Sequence, residues 1–415
     1  MSLPKKPVTG MKDILPGEME IRNFVQRKVR ETYGRYGFTE IETPVVEHIE
    51  NLSSNQGGEN EKLIFRILKR GEKLNLETAK DSSDLTDSGL RYDLTLPLSR
   101  YYANHANDLP SPFKALQMGN VFRADRPQKG RFRQFMQCDI DILGDATNLA
   151  EIELILATTS LLAETGFAGF TVKISDRRFL KAMAAWSGFP EEEYDRIFII
   201  LDKMDKIGVD GVRQELIESG FEEEKADKYL SLFNTSSDAG KKIEELKETL
   251  GDALPEGTAE SLAEIISCVN AAKTGDFAIV FDPTLVRGMS YYTGTIFEIT
   301  IDEFGSSIAG GGRYDGMVER FTGVKTPACG FSIGFERIIT MLLDRGFTVS
   351  GEKGKTAILV DKKIRGERLA AVMKEAADLR KNGDTVLVSK MMKNKKFQKD
   401  NLAAAGYTEI KEIFE

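Results

Sequence analysis

Histidine is scarce in this chain: His48 and His105 are the only two in 415 residues. A zinc site built on three histidines is therefore excluded, and a Ser-His-Asp triad would have to use one of these two. Both read as structural or surface residues, which leaves the chemistry to Arg, Asp, Glu and backbone groups. Cysteine is scarce too. Cys138, Cys268 and Cys329 stand far apart, which rules out a disulfide framework and fits a reducing compartment. No apolar run approaches the ~18 residues of a membrane span, and no secretory signal opens the chain, so the expectation is a cytoplasmic protein without a membrane partner. A general basic excess is missing as well. Lys and Arg number 57 against 65 Asp and Glu, a net charge of −8, so contact with nucleic acid has to be local.

What is present is an ordinary globular composition, 41% hydrophobic and 29% charged, at a length that predicts two or three domains. Prolines at 4, 7 and 16 keep the first 16 residues extended. Ile21, Phe24, Val25 and Val29 recur at helical spacing and predict a helix over 17–35, followed by a short strand over 38–43 that Pro44 stops. The pattern predicts a strand over 63–68, a polar loop over 74–89 and a helix from about 96 to 104. Strands over 114–122 and 132–143 form a long antiparallel hairpin. A helix over 147–165 and a strand over 171–175 follow. Residues 177–272 carry helical signals only and read as an insertion. Strands resume at 277–281, 295–300 and 307–310, then a helix over 330–343. After a Gly-containing linker, residues 355–415 alternate strand and helix as a small α/β domain with parallel strands. That segment holds 14 basic and 9 acidic residues, net +5, which leaves −13 on the rest.

Five strings carry candidate chemistry. Between the hairpin strands Arg123, Arg126, Lys129, Arg131 and Arg133 crowd together, with Phe132 and Phe135 interleaved. They suit either a solvated turn or a clamp for phosphate, since guanidinium is a planar fork for its oxygens. Leu90-Arg91-Tyr92-Asp93-Leu94-Thr95 is a helix cap or part of a site. The stretch 285–294, with Arg287, Tyr291 and Tyr292, reads as a pocket lining or as a strand-edge turn. Gly310-Gly311-Gly312 lacks the Walker lysine and signals close backbone approach, to a ligand or to a neighbouring strand. Cys329 through Arg337 stands at a strand-to-helix transition and reads alone as packing.

Taken in order, these strings resemble the class II aminoacyl-tRNA synthetases, and among them the histidyl-tRNA synthetase family. Residues 37–44 are similar to motif 1, 122–137 to motif 2 and 330–337 to motif 3. Arg287-Gly288 with Tyr291-Tyr292-Thr293-Gly294, and Ala309 through Asp315, are similar to the strings of the histidine enzyme, as are 90–95 and Gln137-Cys138-Asp139 with Asp141. The resemblance implies an α+β architecture: a catalytic antiparallel sheet flanked by helices over 1–176 and 273–345, a helical insertion over 177–272, and an anticodon-binding-like domain over 355–415 that lacks the family's usual last strand and helix. It implies ATP, with Mg2+, L-histidine and tRNA(His) as ligands and a homodimer as the assembly.

It also implies roles. Arg123 holds the α-phosphate of ATP, Phe135 and Arg337 sandwich adenine, and Arg287 places positive charge at the α-phosphate where other class II enzymes use a metal ion. Asp93, Thr95 and Gln137 hold the histidine amino group, Asp141 and Tyr292 receive the imidazole, Tyr291 lines the pocket, and Gly310 and Gly312 bring backbone close. Ser290 replaces the Asp of many members, outside these contacts. The family also has a non-catalytic relative, the regulatory subunit of ATP phosphoribosyltransferase, which keeps the histidine pocket but degrades the ATP-binding arginines. The presence of Arg123, Arg287 and Arg337, with a basic C-terminal segment, favours the enzyme.

Overall fold

The computed structural model describes residues 3–53, 60–77, 79–81, 83–127, 130–233, 239–286, 291–349 and 355–415. The chain clusters into two compact units, Met1–Asp13 with Val25–Arg345, and Ile14–Phe24 with Gly346–Glu415.

The first unit is built on an eight-stranded sheet: β1 (Thr39–Ile41), β2 (Phe113–Phe122), β3 (Gln134–Leu143), β4 (Phe170–Asp176), β5 (Phe277–Phe281), β6 (Thr295–Ile301), β7 (Ser306–Arg313) and β8 (Ala328–Ile333), in the spatial order β1-β2-β3-β8-β7-β6-β4-β5. The six central strands are antiparallel, as expected, but the outermost pairs, β1 with β2 and β4 with β5, are parallel. A parallel neighbour needs a long crossover, and both crossovers are present. From β1 to β2 the chain makes a three-stranded sheet (Val46–His48, Arg66–Leu68, Thr86–Leu90) and the helix Thr95–His105; from β4 to β5 the described residues form six α-helices between Arg177 and Ala272. The β2–β3 hairpin is in continuous register from Phe113↔Leu143 to Phe122↔Gln134.

Two expectations are corrected here. The helix over 330–343 is in fact β8 followed by the helix Phe335–Asp344, and the polar loop over 74–89 ends in the strand Thr86–Leu90. β8 lies between β3 and β7 and is buried along almost its whole length, so it lacks the alternation that marks a half-exposed strand. The helix Leu149–Glu164 packs Leu154, Ile155, Leu161 and Leu162 fully out of solvent. Arg313 at the end of β7 grips Glu151 on that helix with two 2.7 Å bonds. Arg91 is buried too. Its guanidinium donates to Thr43 O (2.7 Å) and Asn120 O (2.9 Å), and a Cβ on Gly119 would lie 2.1 Å from its Nη2.

In the second unit, Lys355–Val360 pairs in parallel with Thr385–Lys390 on one side and Tyr407–Ile413 on the other, and the helices Gly366–Lys381 and Lys395–Ala404 connect them. Ile358, Val360, Ile364, Val372 and Ala376 form its core. Residues 14–24 belong to this unit, with an ion pair between Glu20 and Lys355 and the Phe24 and Phe347 rings 5.1 Å apart. All three cysteines are free thiols. No helix of the described residues is long and apolar enough to cross a membrane.

Candidate active site

Side chains alternate along a strand, so Phe135, Gln137, Asp139 and Asp141 of β3 share one face. Register carries that face across the sheet. Gln117, Asp139, Ser332 and Gly310 form one row, and Ala115, Asp141, Gly330 and Gly312 the next. Above these rows lies a cavity of about 360 Å³, closed by the 93–95 turn, the 130–132 loop, Tyr291 and Tyr292, and the start of the Phe335–Asp344 helix. Arg123, Phe135 and Arg337 line it, as do Asp93, Thr95, Gln137, Asp141, Tyr291, Tyr292 and Gly310. Gly312 does not. A Cβ there would lie 2.6 Å from Thr295 O and 2.9 Å from the Tyr292 ring, so its bareness seats that ring on the sheet. Arg287 and Ser290 lie outside the described residues, as does Lys129. His48 and His105 are exposed and take no part in the lining.

One end of the cavity carries two guanidinium groups, Arg123 and Arg337. Arg123 donates from Nε to Tyr92 O (2.8 Å), and its guanidinium carbon lies 5.3 Å from the Phe135 ring centroid. Arg337 is steered by a bond from Nη1 to Ser307 O. The other arginines of the hairpin connection have different work. Arg131 pairs with Asp125 at 3.1 Å, and Arg133 donates to Asp125 O at 3.0 Å while its backbone N–H bonds Gly10 O.

The other end gathers carboxylates. Asp93, Asp139 and Asp141 are all buried, and no ion pair to them is present among the described residues. Asp93 Oδ1 accepts from the Leu96 N–H (3.2 Å) in the first turn of the helix Thr95–His105; its Oδ2 has no hydrogen-bond partner among the described residues. Asp141 Oδ1 accepts from the Tyr314 hydroxyl (2.6 Å), and its Oδ2 is likewise without one. Gln137 donates from Nε2 to Asp139 and to Ser332 Oγ (3.2 Å each), and its Oε1 is unpartnered. Burial pushes Asp139 up to about 7, with the Asp93 charge adding to the effect and the Ser332 hydroxyl and Arg123 opposing it. Burial also raises Asp141 well above the usual carboxylate range, with Asp139 as a second cause, and raises Asp93. Each buried acceptor left unpaired costs about 1–3 kcal/mol, and three of them belong to residues that line this one cavity, which suits a ligand rich in N–H donors. Gly330 makes room at this end: a Cβ there would fall 1.9 Å from Asp141 Oδ1.

Three residues of this end were given no role from sequence. Asp139 was legible, since alternation puts it on the face of Gln137 and Asp141. Tyr314 stands within the quoted glycine string. Ser332 follows only from the β3–β8 register, which no local pattern announces.

The profile described as histidyl-tRNA synthetase matches residues 10–338. The chain belongs to the histidyl-tRNA synthetase family. It is 42% identical over 424 residues to the histidine–tRNA ligase of Leifsonia xyli subsp. xyli, an alignment covering 98% of this chain and 95% of that one. It is 44% identical over 382 residues to the probable histidine–tRNA ligase of Tropheryma whipplei, covering 89% and 87%. The solved histidyl-tRNA synthetase of Nostoc sp. PCC 7120 matches with a TM-score of 0.78 at 28% identity, over 98% of this chain and 90% of that chain. A Bacillus halodurans structure titled as an ATP phosphoribosyltransferase regulatory subunit/histidyl-tRNA synthetase matches with a TM-score of 0.80 over 100% of both chains at 22% identity, a likeness of fold alone. As a histidyl-tRNA synthetase the chain is a class II aminoacyl-tRNA synthetase and an enzyme.

Proposed function

We propose that the cavity activates L-histidine with ATP and then transfers it to tRNA(His), the reaction of a histidine–tRNA ligase. The observation that carries this reading is the presence, on the residues lining one cavity, of three buried acceptor oxygens lacking donors together with the guanidinium groups of Arg123 and Arg337. Asp93 Oδ2 and Gln137 Oε1 receive the amino acid's ammonium, assisted by Thr95. Asp141 Oδ2 receives the imidazole N–H, with Tyr291 and Tyr292 against the ring and Gly310 beneath it. A site of buried acceptors rejects a side chain without that N–H, because the acceptor would stay unpaired. At the other end Arg123 meets the α-phosphate, and Phe135 and Arg337 flank adenine.

The histidine carboxylate is already ionised. It attacks the α-phosphorus, an O–P bond forms, and the bond to pyrophosphate breaks. No proton has to move, so the protein's task is positioning and charge stabilisation. Arg287 keeps the role the resemblance gives it, a second positive charge at the α-phosphate. In the second step the terminal ribose hydroxyl of tRNA attacks the acyl carbon and AMP leaves, with a phosphate oxygen of the adenylate as the base. Among the described residues no group of three His, Cys, Asp or Glu is placed to hold a metal; Mg2+ would enter with ATP, and no step is routed through it. Histidine-dependent ATP–pyrophosphate exchange tests the reading. Exchange that follows histidine supports it, and histidine binding without exchange would point to the regulatory relative instead.

The raised carboxyls give a pH prediction. A folded-state value of about 7 for Asp139, above the ~3.9 of an unfolded chain, contributes stability that is full below about pH 4 and lost as the pH rises through about 7. A bound ammonium favours the ionised form and reverses that loss. The Tm increase from saturating histidine should therefore be larger near pH 7.5 than near pH 5.5. Equal increases would count against a cation at this end.

Assembly follows from the sheet edge. β1 is the outermost strand on its side, and Val45 and Val46 beyond it are 38% and 48% exposed. A homodimer joined through residues 38–46 covers that edge. Light scattering at micromolar protein should give about twice 46.2 kDa; a monomer mass would refute it. The division of labour keeps the catalytic work in 1–176 and 273–345, sets the insertion 177–272 against the tRNA acceptor arm, and gives anticodon contact to 355–415, in the cytoplasm.

Within 355–415, Lys399 is tied to Glu412 and Lys395 lies over the Phe414 ring, while Lys393 and Lys396 show no ion pair among the described residues. Replacing Lys393 and Lys396 by alanine should raise the KM for tRNA and flatten its salt dependence, by a slope of about 0.7–0.9 per lost phosphate contact. Pyrophosphate exchange should stay at the parent level. Loss of exchange in the folded double variant would break this division of labour.

A further inference from the structure

We infer that Asp139 is a positioning residue: it fixes the rotational sense of the Gln137 amide, so that the amide oxygen rather than the nitrogen meets the substrate ammonium. The inference rests on reading this end of the cavity as the histidine site.

A glutamine amide has two nearly isosteric faces of opposite hydrogen-bonding character. Turned one way, Gln137 offers an acceptor to the cavity; turned the other way, it points two N–H groups at a cation. Its neighbours decide between them. Nε2 lies 3.2 Å from Asp139 Oδ2, 3.4 Å from Oδ1 and 3.2 Å from Ser332 Oγ. Ser332 has already committed its hydrogen to Asp139 Oδ1 at 2.5 Å, so toward Gln137 it can only accept. With Asp139 ionised, the amide nitrogen finds acceptors on both neighbours, whereas an amide oxygen in the same place would find no donor. Oε1 is left buried and unpartnered.

The arrangement is set by the sheet, not by flexible reach. Asp139 and Ser332 are directly paired across β3 and β8, and Gln137 stands two residues along on the same face. Asp139 differs in this from Asp93 and Asp141. Each of those keeps one oxygen without a partner, whereas neither oxygen of Asp139 is left unpartnered.

Asp139→Asn is the test, since asparagine has the same shape but offers one donor and one acceptor and so accepts either sense of the Gln137 amide. In ATP–pyrophosphate exchange the KM for histidine should rise about tenfold or more, with the KM for ATP and the kcat at saturating histidine close to the parent. Two further readouts separate this from a loss of structure. The affinity for 3-(imidazol-4-yl)propanoate, which has no ammonium, should change by less than about twofold. Adding Gln137→Glu to Asp139→Asn makes position 137 an acceptor in either sense, and the histidine KM should return to within a few-fold of the parent.

The double variant preserves the charge of the pair, so it also serves if the single variant does not fold. A parent-like histidine KM in Asp139→Asn overturns the inference. So does an equal loss for the analogue without an ammonium, or a double variant that fails to recover. Absence of histidine-dependent exchange in the parent protein would instead sink the underlying reading of the site.

Discussion

Arg123→Ala is expected to slow histidine-dependent pyrophosphate exchange by about 10²–10³-fold, the cost of removing one preorganised group from the place where transition-state charge grows. The expectation rests on how the side chain is held. Its Nε is spent on Tyr92 O and its plane lies near the Phe135 ring, so the charge is aimed before ATP arrives and needs no rearrangement during reaction. The loss should fall on kcat, while histidine affinity stays within a few-fold. Arg123→Lys should recover only part of the rate, because an ammonium cannot reproduce the planar fork. Exchange near the parent rate in Arg123→Ala would remove this residue from the α-phosphate.

Asp141→Asn has the second largest expected effect: a loss of about 1–3 kcal/mol in histidine binding, with ATP binding unchanged. The two carboxylate oxygens have different duties. Oδ1 accepts from Tyr314 at 2.6 Å, and an asparagine oxygen can keep that bond. Oδ2 has no partner, and in the variant it becomes an NH2 group facing the imidazole N–H, donor against donor. Volume and the bareness of Gly330 are untouched, so the change is one of hydrogen-bonding sense. Unchanged histidine affinity by titration calorimetry would place the imidazole elsewhere.

Much of this arrangement could be read along the chain, for reasons of range. The β2–β3 hairpin, the helix Leu149–Glu164 and the strands of 355–415 follow local periodicity, and the sequence states local periodicity directly. Arg123 and Phe135 stand out in the basic and aromatic hairpin connection, Gln137 and Asp141 come with the family resemblance, and strand alternation explains why Phe135, Gln137 and Asp141 share one face. What could not be read depends on partners distant in sequence. β8 is strand rather than helix because β3 and β7 bond it on both sides. Ser332 enters the site through that same pairing, and the parallel edges depend on the direction in which long crossovers return. Gly312 shows the limit from the other side: the triple glycine announces close approach, but only the structure tells a ligand from the Tyr292 ring.

The buried guanidinium of Arg91 ties three things to one side chain. It holds the 43–44 turn through Thr43 O and β2 through Asn120 O, while its own backbone leads within two residues to Asp93. The sheet edge is thereby linked through one side chain to the proposed amino-acid pocket. A second copy docked along residues 38–46 would act as a template for the pocket, holding Asp93 and Thr95 in place from outside. A solitary chain would hold them less firmly. Histidine affinity would then depend on protein concentration, and dilution alone, with no change in any residue, would loosen the site.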